Sequence, residues 1–176
     1  AFVAPDIAID TALFTRLAEL GFRRSGQHVY RPQCQGCNAC IPVRLPVDAF
    51  VPDRKQLRCL KRNEDLTIRQ LDRIDNDACY ALYEKYLSKR HFDGDMYPPN
   101  REQYEHFLCV DWPGTFYLGF FQGDRLLAIA VCDRFLNGTS AVYTFFDPDE
   151  HKRSLGVYAV LTQIARAQLE GLDYLY

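Results

Sequence analysis

The sequence is short of long apolar runs. Its longest unbroken one, Leu126 to Cys132, has seven residues. A membrane-spanning helix needs about 20, so none is predicted. Repeats and low-complexity tracts are missing too, and there are only 10 Gly and 9 Pro. These absences exclude fibrous and disordered classes. The N-terminus, Ala1-Phe2-Val3, has no basic stretch leading into an apolar run, so no secretory signal is predicted. No Met opens the chain, and it stops at Tyr176 inside an apolar-rich run. Both ends therefore read as trimmed relative to a gene product. What remains is 176 residues, 48% apolar and 25% charged. That is a soluble globular composition, long enough for one average domain or two small ones with a core.

Seven cysteines is an odd number, and without a secretory signal it argues against a disulfide framework. The expected compartment is the reducing cytoplasm. Cys34, Cys37 and Cys40 form a C-x-x-C-x-x-C cluster, a spacing that suits a shared soft metal or an iron–sulfur cluster. Zinc or a cluster would want a fourth ligand, for which only Cys59, His28 and Cys109 are on offer. The plainer alternative is a tight turn with small thiols. No cofactor is firmly expected. Cys79, Cys109 and Cys132 lie in apolar patterns and read as core.

Net charge is −2, yet its distribution is uneven. Residues 21–62 carry nine basic side chains against Asp48 and Asp53, a balance of +7. Residues 1–20 sum to −2 and residues 63–176 to −7. Such asymmetry points to a polyanionic partner, with a solvated face as the alternative.

Ile9, Leu13, Leu17 and Leu20 mark a first helical face ended by Gly21. Phe22–Arg24 and His28–Arg31 flank a Ser-Gly-Gln turn and read as a hairpin. Ile41–Val47 is extended but holds Pro42 and Pro46, an edge strand at best. Asp53 to Asp65 has helical potential and carries much of the basic block. After residue 66 the predicted order is strand (66–71), helix (75–89), a loop (90–100) and a second helix (102–110). Three strands follow (115–121, 126–133 and 139–146), with a strong turn signal at Asn137-Gly138. A helix over 155–170 and a strand from Tyr174 complete it.

This order resembles that of GNAT-type acyltransferases. The resemblance implies an α+β fold: a GNAT-like acyltransferase core over residues 66–176, truncated at its C-terminal end, beside a small basic, Cys-containing region over 1–65. In such a core the turn before the 155–170 helix offers backbone N–H groups and a positive dipole end to phosphate. Arg153-x-x-Gly156 resembles half of the phosphate motif of that class. Tyr158 stands where its second small residue is usual.

Several stretches resemble the arginyl-tRNA–protein transferase family, in its bacterial aspartate/glutamate leucyltransferase branch. They are Gly21-Phe22-Arg23-Arg24-Ser25-Gly26, Tyr30-Arg31-Pro32 with the cysteine triplet, and Leu60-Lys61-Arg62-Asn63. Further along come Arg90-His91-Phe92-Asp93-Gly94-Asp95-Met96-Tyr97-Pro98-Pro99, Ala141 to Pro148, and Arg153-Ser154-Leu155-Gly156. The resemblance implies an enzyme that moves leucine from leucyl-tRNA to proteins beginning with Asp or Glu, marking them for N-end rule degradation. It implies neither membrane nor DNA as partner. The alternatives are an arginyl donor with the same acceptors, a GNAT acetyltransferase, or an RNA-binding or redox-sensing module.

Aminolysis of an aminoacyl ester needs an amine, a place for its proton and a donor for the developing oxyanion. Asp133 and Asp147 end consecutive strands and are candidates for handling the amine, with turn chemistry as the plain alternative for Asp147. Tyr143 is the candidate hydrogen-bond donor, or else a core aromatic. An acidic acceptor residue calls for a cation, best an Arg fork. Arg90 with His91 leads, Arg31 and Arg44 follow, and Asp93 or Asp95 would hold the substrate ammonium. Arg54, Lys55, Arg58, Lys61 and Arg62 fall along one broad helical side and suit tRNA phosphates. Arg153, Ser154 and Gly156 would face the acceptor-end phosphate. Tyr97 or Tyr158 would stack on the terminal adenine.

Overall fold

The computed structural model describes all of residues 1–176. Helix α1 (Thr11–Glu19) starts at Asp10, whose carboxylate accepts from the Leu13 N–H and satisfies a donor that the first turn leaves free. The hairpin pairs β1 (Arg23–Ser25) with β2 (His28–Tyr30). Its turn uses Gly26 at φ +57°. A Cβ there would meet the His106 carbonyl oxygen at 2.6 Å, so both the conformation and the close approach demand glycine.

Helix α2 (Arg54–Arg62) opens with a capping box. The Asp53 carboxylate accepts from the N–H groups of Lys55 and Gln56, and the Gln56 side chain accepts from the Asp53 N–H. Two orphan donors and the chain entry are fixed at once.

A six-stranded sheet organises the molecule. In chain order its strands are β3 (Leu45–Pro46), β4 (Thr67–Leu71), β5 (Thr115–Gln122), β6 (Arg125–Arg134), β7 (Gly138–Phe146) and β8 (Tyr174–Leu175). Across the sheet the order is β3-β8-β7-β6-β5-β4. All pairings are antiparallel except β7 with β8. From Leu127 to Asp133 every residue of β6 is buried, the signature of a strand covered on both faces.

Alternation sends those residues to two cores. Ala128, Ala130 and Cys132 pack with Leu118, Phe120 and α5 (Leu155–Leu169), through Leu155, Tyr158, Ala159 and Leu161. Ile129 and Val131 pack with Phe145, α3 (Asp77–Arg90) and α4 (Arg101–Leu108), through Leu82, Tyr83, Leu87, Tyr104 and Leu108. Each fully buried Leu contributes about 1.5–3 kcal/mol. The result is a mixed α+β arrangement of three layers, with α3 and α4 on one face of the sheet and α5 and α2 on the other.

The extended stretch 41–47 supplies the edge strand that its sequence allows: Leu45 and Pro46 pair opposite Leu175 and Tyr174, and the Val47 N–H donates to the Asp173 carbonyl at 2.9 Å. One segment departs from the sequence reading. The stretch between β7 and α5 is a 3-10 segment, Pro148–Arg153, entered through an Asp147 side chain that accepts from the Asp149 N–H. The order of the other elements agrees with the sequence. No helix is long and apolar enough to cross a membrane.

Candidate active site

Strand β7 and the segment that follows it carry the candidates Tyr143, Asp147, Arg153 and Ser154. The pairing of β7 with β6 slips between Val131/Tyr143 and Cys132/Ala141. Val142 is therefore an extra residue, and such bulges re-aim neighbouring side chains. Tyr143 is half-buried and packs edge-on against Phe107 of α4 at 5.2 Å. Burial, with Tyr86 and Tyr83 nearby, pushes its phenol pKa up, so the hydroxyl stays protonated and able to donate.

Asp147 closes β7. Its carboxylate takes Lys85 at 2.6 Å and Arg125 at 2.6 Å. Burial pushes the Asp147 carboxyl up, but the hydrogen bonds from Lys85, the Asp149 N–H and Arg125 outweigh it and hold it below the ordinary range. A carboxylate so engaged ties β7, α3 and the 3-10 segment together. Asp149 is drawn down to about 2 by Lys89 and then Lys85.

Asp133 is placed differently from the amine-handling position considered for it. It is fully buried. Arg24 donates from Nε to Oδ2 at 2.7 Å and from Nη2 to Oδ1 at 2.8 Å, and the Thr115 hydroxyl donates to Oδ1 at 2.6 Å. With its acceptors taken by the chain itself, this side chain joins the hairpin to the end of β6.

Arg90 and His91 leave the end of α3. The Arg90 guanidinium carbon lies 5.4 Å from the centroid of the Phe146 ring, a cation–π arrangement without a carboxylate partner. His91 Nε2 is 3.1 Å from the Tyr86 hydroxyl, and Tyr86 in turn stacks on Phe146 at 4.9 Å. Asp93 is exposed. The other cations considered for an acidic acceptor lie elsewhere. Arg44 stacks 4.1 Å from the Tyr174 ring centroid, and Arg31 is exposed beside the cysteine loop.

The start of α5 faces the end of α2. Ser154 adopts φ 55°, ψ 48° and makes no side-chain cap. Asn63, fully buried, donates from Nδ2 to the Arg153 carbonyl at 2.8 Å. The Arg62 guanidinium donates to the Lys152 carbonyl. Arg153 itself pairs with both oxygens of Asp65 at 2.8 and 2.9 Å and with Glu150 at 3.1 Å. It braces the turn instead of standing free for a phosphate. The Phe146 ring approaches Gly156 so closely that a Cβ would meet it at 3.3 Å.

Tyr158 is buried against Phe120, with ring centroids 5.7 Å apart, which removes it as a stacking platform. Tyr97 is exposed. Along α2, Arg54, Lys55, Arg58, Lys61 and Arg62 are all exposed. The buried side of that helix is Cys59. Sequence reading did not find the buried Arg24 or the Asn63 clamp. Their only signal is membership of the matched stretches around Gly21–Gly26 and Leu60–Asn63.

Cys34, Cys37 and Cys40 are exposed and line a cavity of about 360 Å³ with Arg31, Asn38 and Pro42. No three His, Cys, Asp or Glu side chains converge to hold a metal ion. As arranged, these thiols do not fit a cluster or a zinc site. Of the isolated cysteines, Cys79 and Cys132 are buried and Cys109 is half-buried.

Comparison with known proteins gives the class. Residues 1–58 match the family described as arginine-tRNA-protein transferase, N terminus, and residues 78–176 match its C-terminal counterpart. The chain belongs to this family, whose members use aminoacyl-tRNA and protein substrates. More particularly, it is 52% identical over 176 residues to the aspartate/glutamate leucyltransferase of Saccharophagus degradans, covering 99% of this chain and 75% of that one. It is 53% identical over 176 residues to the leucyltransferase of the same name from Teredinibacter turnerae, covering 99% and 72%. Over 175 residues it is 49% identical to that of Pseudomonas entomophila, covering 99% and 74%.

Proposed function

We propose that this chain transfers leucine from leucyl-tRNA to the N-terminal Asp or Glu of proteins, marking them for N-end rule degradation in a reducing cytoplasm. The observation that carries this reading is identity of about half the residues, along nearly the whole chain, to enzymes named for that reaction. The order of strands and helices over 66–176 supports a GNAT-like acyl-transfer core, with residues 1–65 as a basic, Cys-containing region packed on it.

In this reading the exposed basic side of α2, through Arg54, Arg58, Lys61 and Arg62, contacts tRNA phosphates, which position the RNA without reading bases. The N-terminal turn of α5, at Ser154 and Gly156, faces the acceptor-end phosphate, and Arg153 holds that turn in shape. Arg90, lacking an internal carboxylate, takes the acidic side chain of the acceptor, with His91 and Asp93 beside it.

The acceptor's α-amino group, with an ordinary pKa of about 7.7–8.0, is partly neutral at cell pH. Its nitrogen attacks the ester carbonyl. A C–N bond forms, the bond to the ribose oxygen breaks, and the amine proton leaves on that oxygen. Tyr143 donates a hydrogen bond to the oxyanion. Asp133 and Asp147 act through the elements they hold.

The test incubates the full chain with radiolabelled leucyl-, phenylalanyl- and arginyl-tRNA and peptides beginning Asp, Glu or Ala. Leucine is expected on the Asp and Glu peptides alone. Transfer from arginyl-tRNA instead, or none at all, overturns the reading.

A further inference from the structure

A cavity of about 790 Å³ opens between the tip of the β1–β2 hairpin, α3, α4 and the loop over 91–100. It has more than twice the volume of the cavity at the cysteine loop, about 360 Å³. Two of the matched stretches far apart in sequence converge on it, through Ser25 and Gly26 on one side and Asp95 and Met96 on the other. Gly26 is what lets the hairpin tip sit against α4, since a Cβ would run into the His106 carbonyl at 2.6 Å.

The chemistry of the lining is one-sided. Asp95 and Glu102 contribute carboxylates, and no Lys or Arg lines the cavity. Its other ionisable groups are His28, His106 and the buried Tyr83. Tyr83, Met96, Phe107 and Val110 supply an apolar wall. Such a surface favours a ligand that carries a cation and an apolar body. It opposes one that carries a carboxylate, because like charges repel and nothing here offers a guanidinium fork. The acceptor's acidic residue is therefore the wrong guest. The aminoacyl end of the donor has the right composition: an α-ammonium, an apolar side chain and no negative charge.

Position agrees with composition. Phe107, part of the apolar wall, packs against Tyr143 at 5.2 Å. An aminoacyl group seated here brings its ester to the neighbourhood of the phenol proposed to donate to the oxyanion. The volume falls within the range of small-molecule sites, roughly 300–1,000 Å³, and holds an aminoacyl group with the sugar it is esterified to.

We infer that the cavity between the hairpin tip and α4 receives the aminoacyl end of the donor, Asp95 and Glu102 holding its α-ammonium and Met96 and Phe107 packing its side chain. This assignment rests on the proposed leucyl transfer and adds the determinant of donor choice.

The experiment measures calorimetric binding of 3′-leucylamido-3′-deoxyadenosine, which cannot transfer its acyl group, and of 3′-amino-3′-deoxyadenosine, which lacks leucine. The full chain is compared with Asp95→Asn/Glu102→Gln and with Met96→Arg. Wild type is expected to bind the leucyl compound at least tenfold more tightly. Both variants should lose most of that preference while binding the amino compound as before, which also reports that they are folded. The KM for an Asp-initiated peptide should not move. An unchanged preference in the variants overturns the inference, as does a raised peptide KM with leucyl-compound binding intact. Loss of the preference in the variants with no leucine transfer by wild type overturns the functional reading and leaves the cavity assignment standing. Transfer with no preference overturns the assignment alone.

Discussion

Arg24 grips both carboxylate oxygens of Asp133, at 2.7 and 2.8 Å, with side-chain exposures of 1% and 0%. The two residues stand 109 positions apart. Both charges have left water, so each depends on the other.

Arg24→Ala and Asp133→Ala should each cost about 3–5 kcal/mol, because either leaves an uncompensated buried charge. Replacing the pair together, as Arg24→Met/Asp133→Leu, should recover most of that loss. Urea denaturation midpoints measure all three. Single losses below about 1 kcal/mol would contradict the burial of the pair.

Ser154 holds a left-handed backbone at φ 55° without any capping bond from its hydroxyl. Ser154→Val should destabilise by about 1–2 kcal/mol, the price of that conformation for a branched residue. Ser154→Gly should change stability by only a few tenths of that scale. Thermal unfolding of the two variants distinguishes backbone strain from a side-chain role. Equal effects would favour the side chain.

Alanine at Arg54, Arg58 and Lys61 should leave thermal stability nearly unchanged, since all three are exposed. It should flatten the salt dependence of tRNA binding. Each lost phosphate contact lowers the slope of log affinity against log salt by about 0.7–0.9. Binding titrations between low and moderate salt give the slope directly. An unchanged slope would move the tRNA off α2.

Asp149 titrates at about 2, drawn down first by Lys89 and then by Lys85. Its folded pKa lies below the unfolded value of about 3.9. Its contribution to stability is therefore present above pH 4 and disappears as pH falls toward 2. Lys89→Met should raise the Asp149 midpoint toward the ordinary value, read from its carboxyl NMR shift. It should also flatten acid unfolding in that window. A midpoint that stays near 2 would deny the role of Lys89.

Local pattern was enough to read most elements. The unbroken apolar run of β6, the Asn137-Gly138 turn and the Asp53 start of α2 are all written in adjacent residues. Pairings across the chain are not. Nothing near Asp133 announces that Arg24 will neutralise it, and Arg153 looks like a phosphate ligand until Asp65 is brought to it by folding. Tyr158 looked like a residue of the cleft by its place in a motif. Its helical position relative to Leu155 and Ala159 turns it into the core instead. The 3-10 segment escaped because its signal, Asp147-Pro148, is equally a loop signal. The cavity beside α4 was invisible for a further reason: its walls come from residues near 25, 83, 95 and 106.

The edge strand β3 has a consequence for how the molecule is made. Leu45 pairs with Leu175, and α2 rests on α5, so early residues are completed by late ones. At about 5–20 residues per second of ribosomal synthesis, roughly ten seconds pass between the two. For that interval the nascent α2, with its inward-facing Cys59, lacks the α5 surface that it packs against. A ribosome that stalls before α5 leaves α2 and the start of the sheet without the helix that buries them.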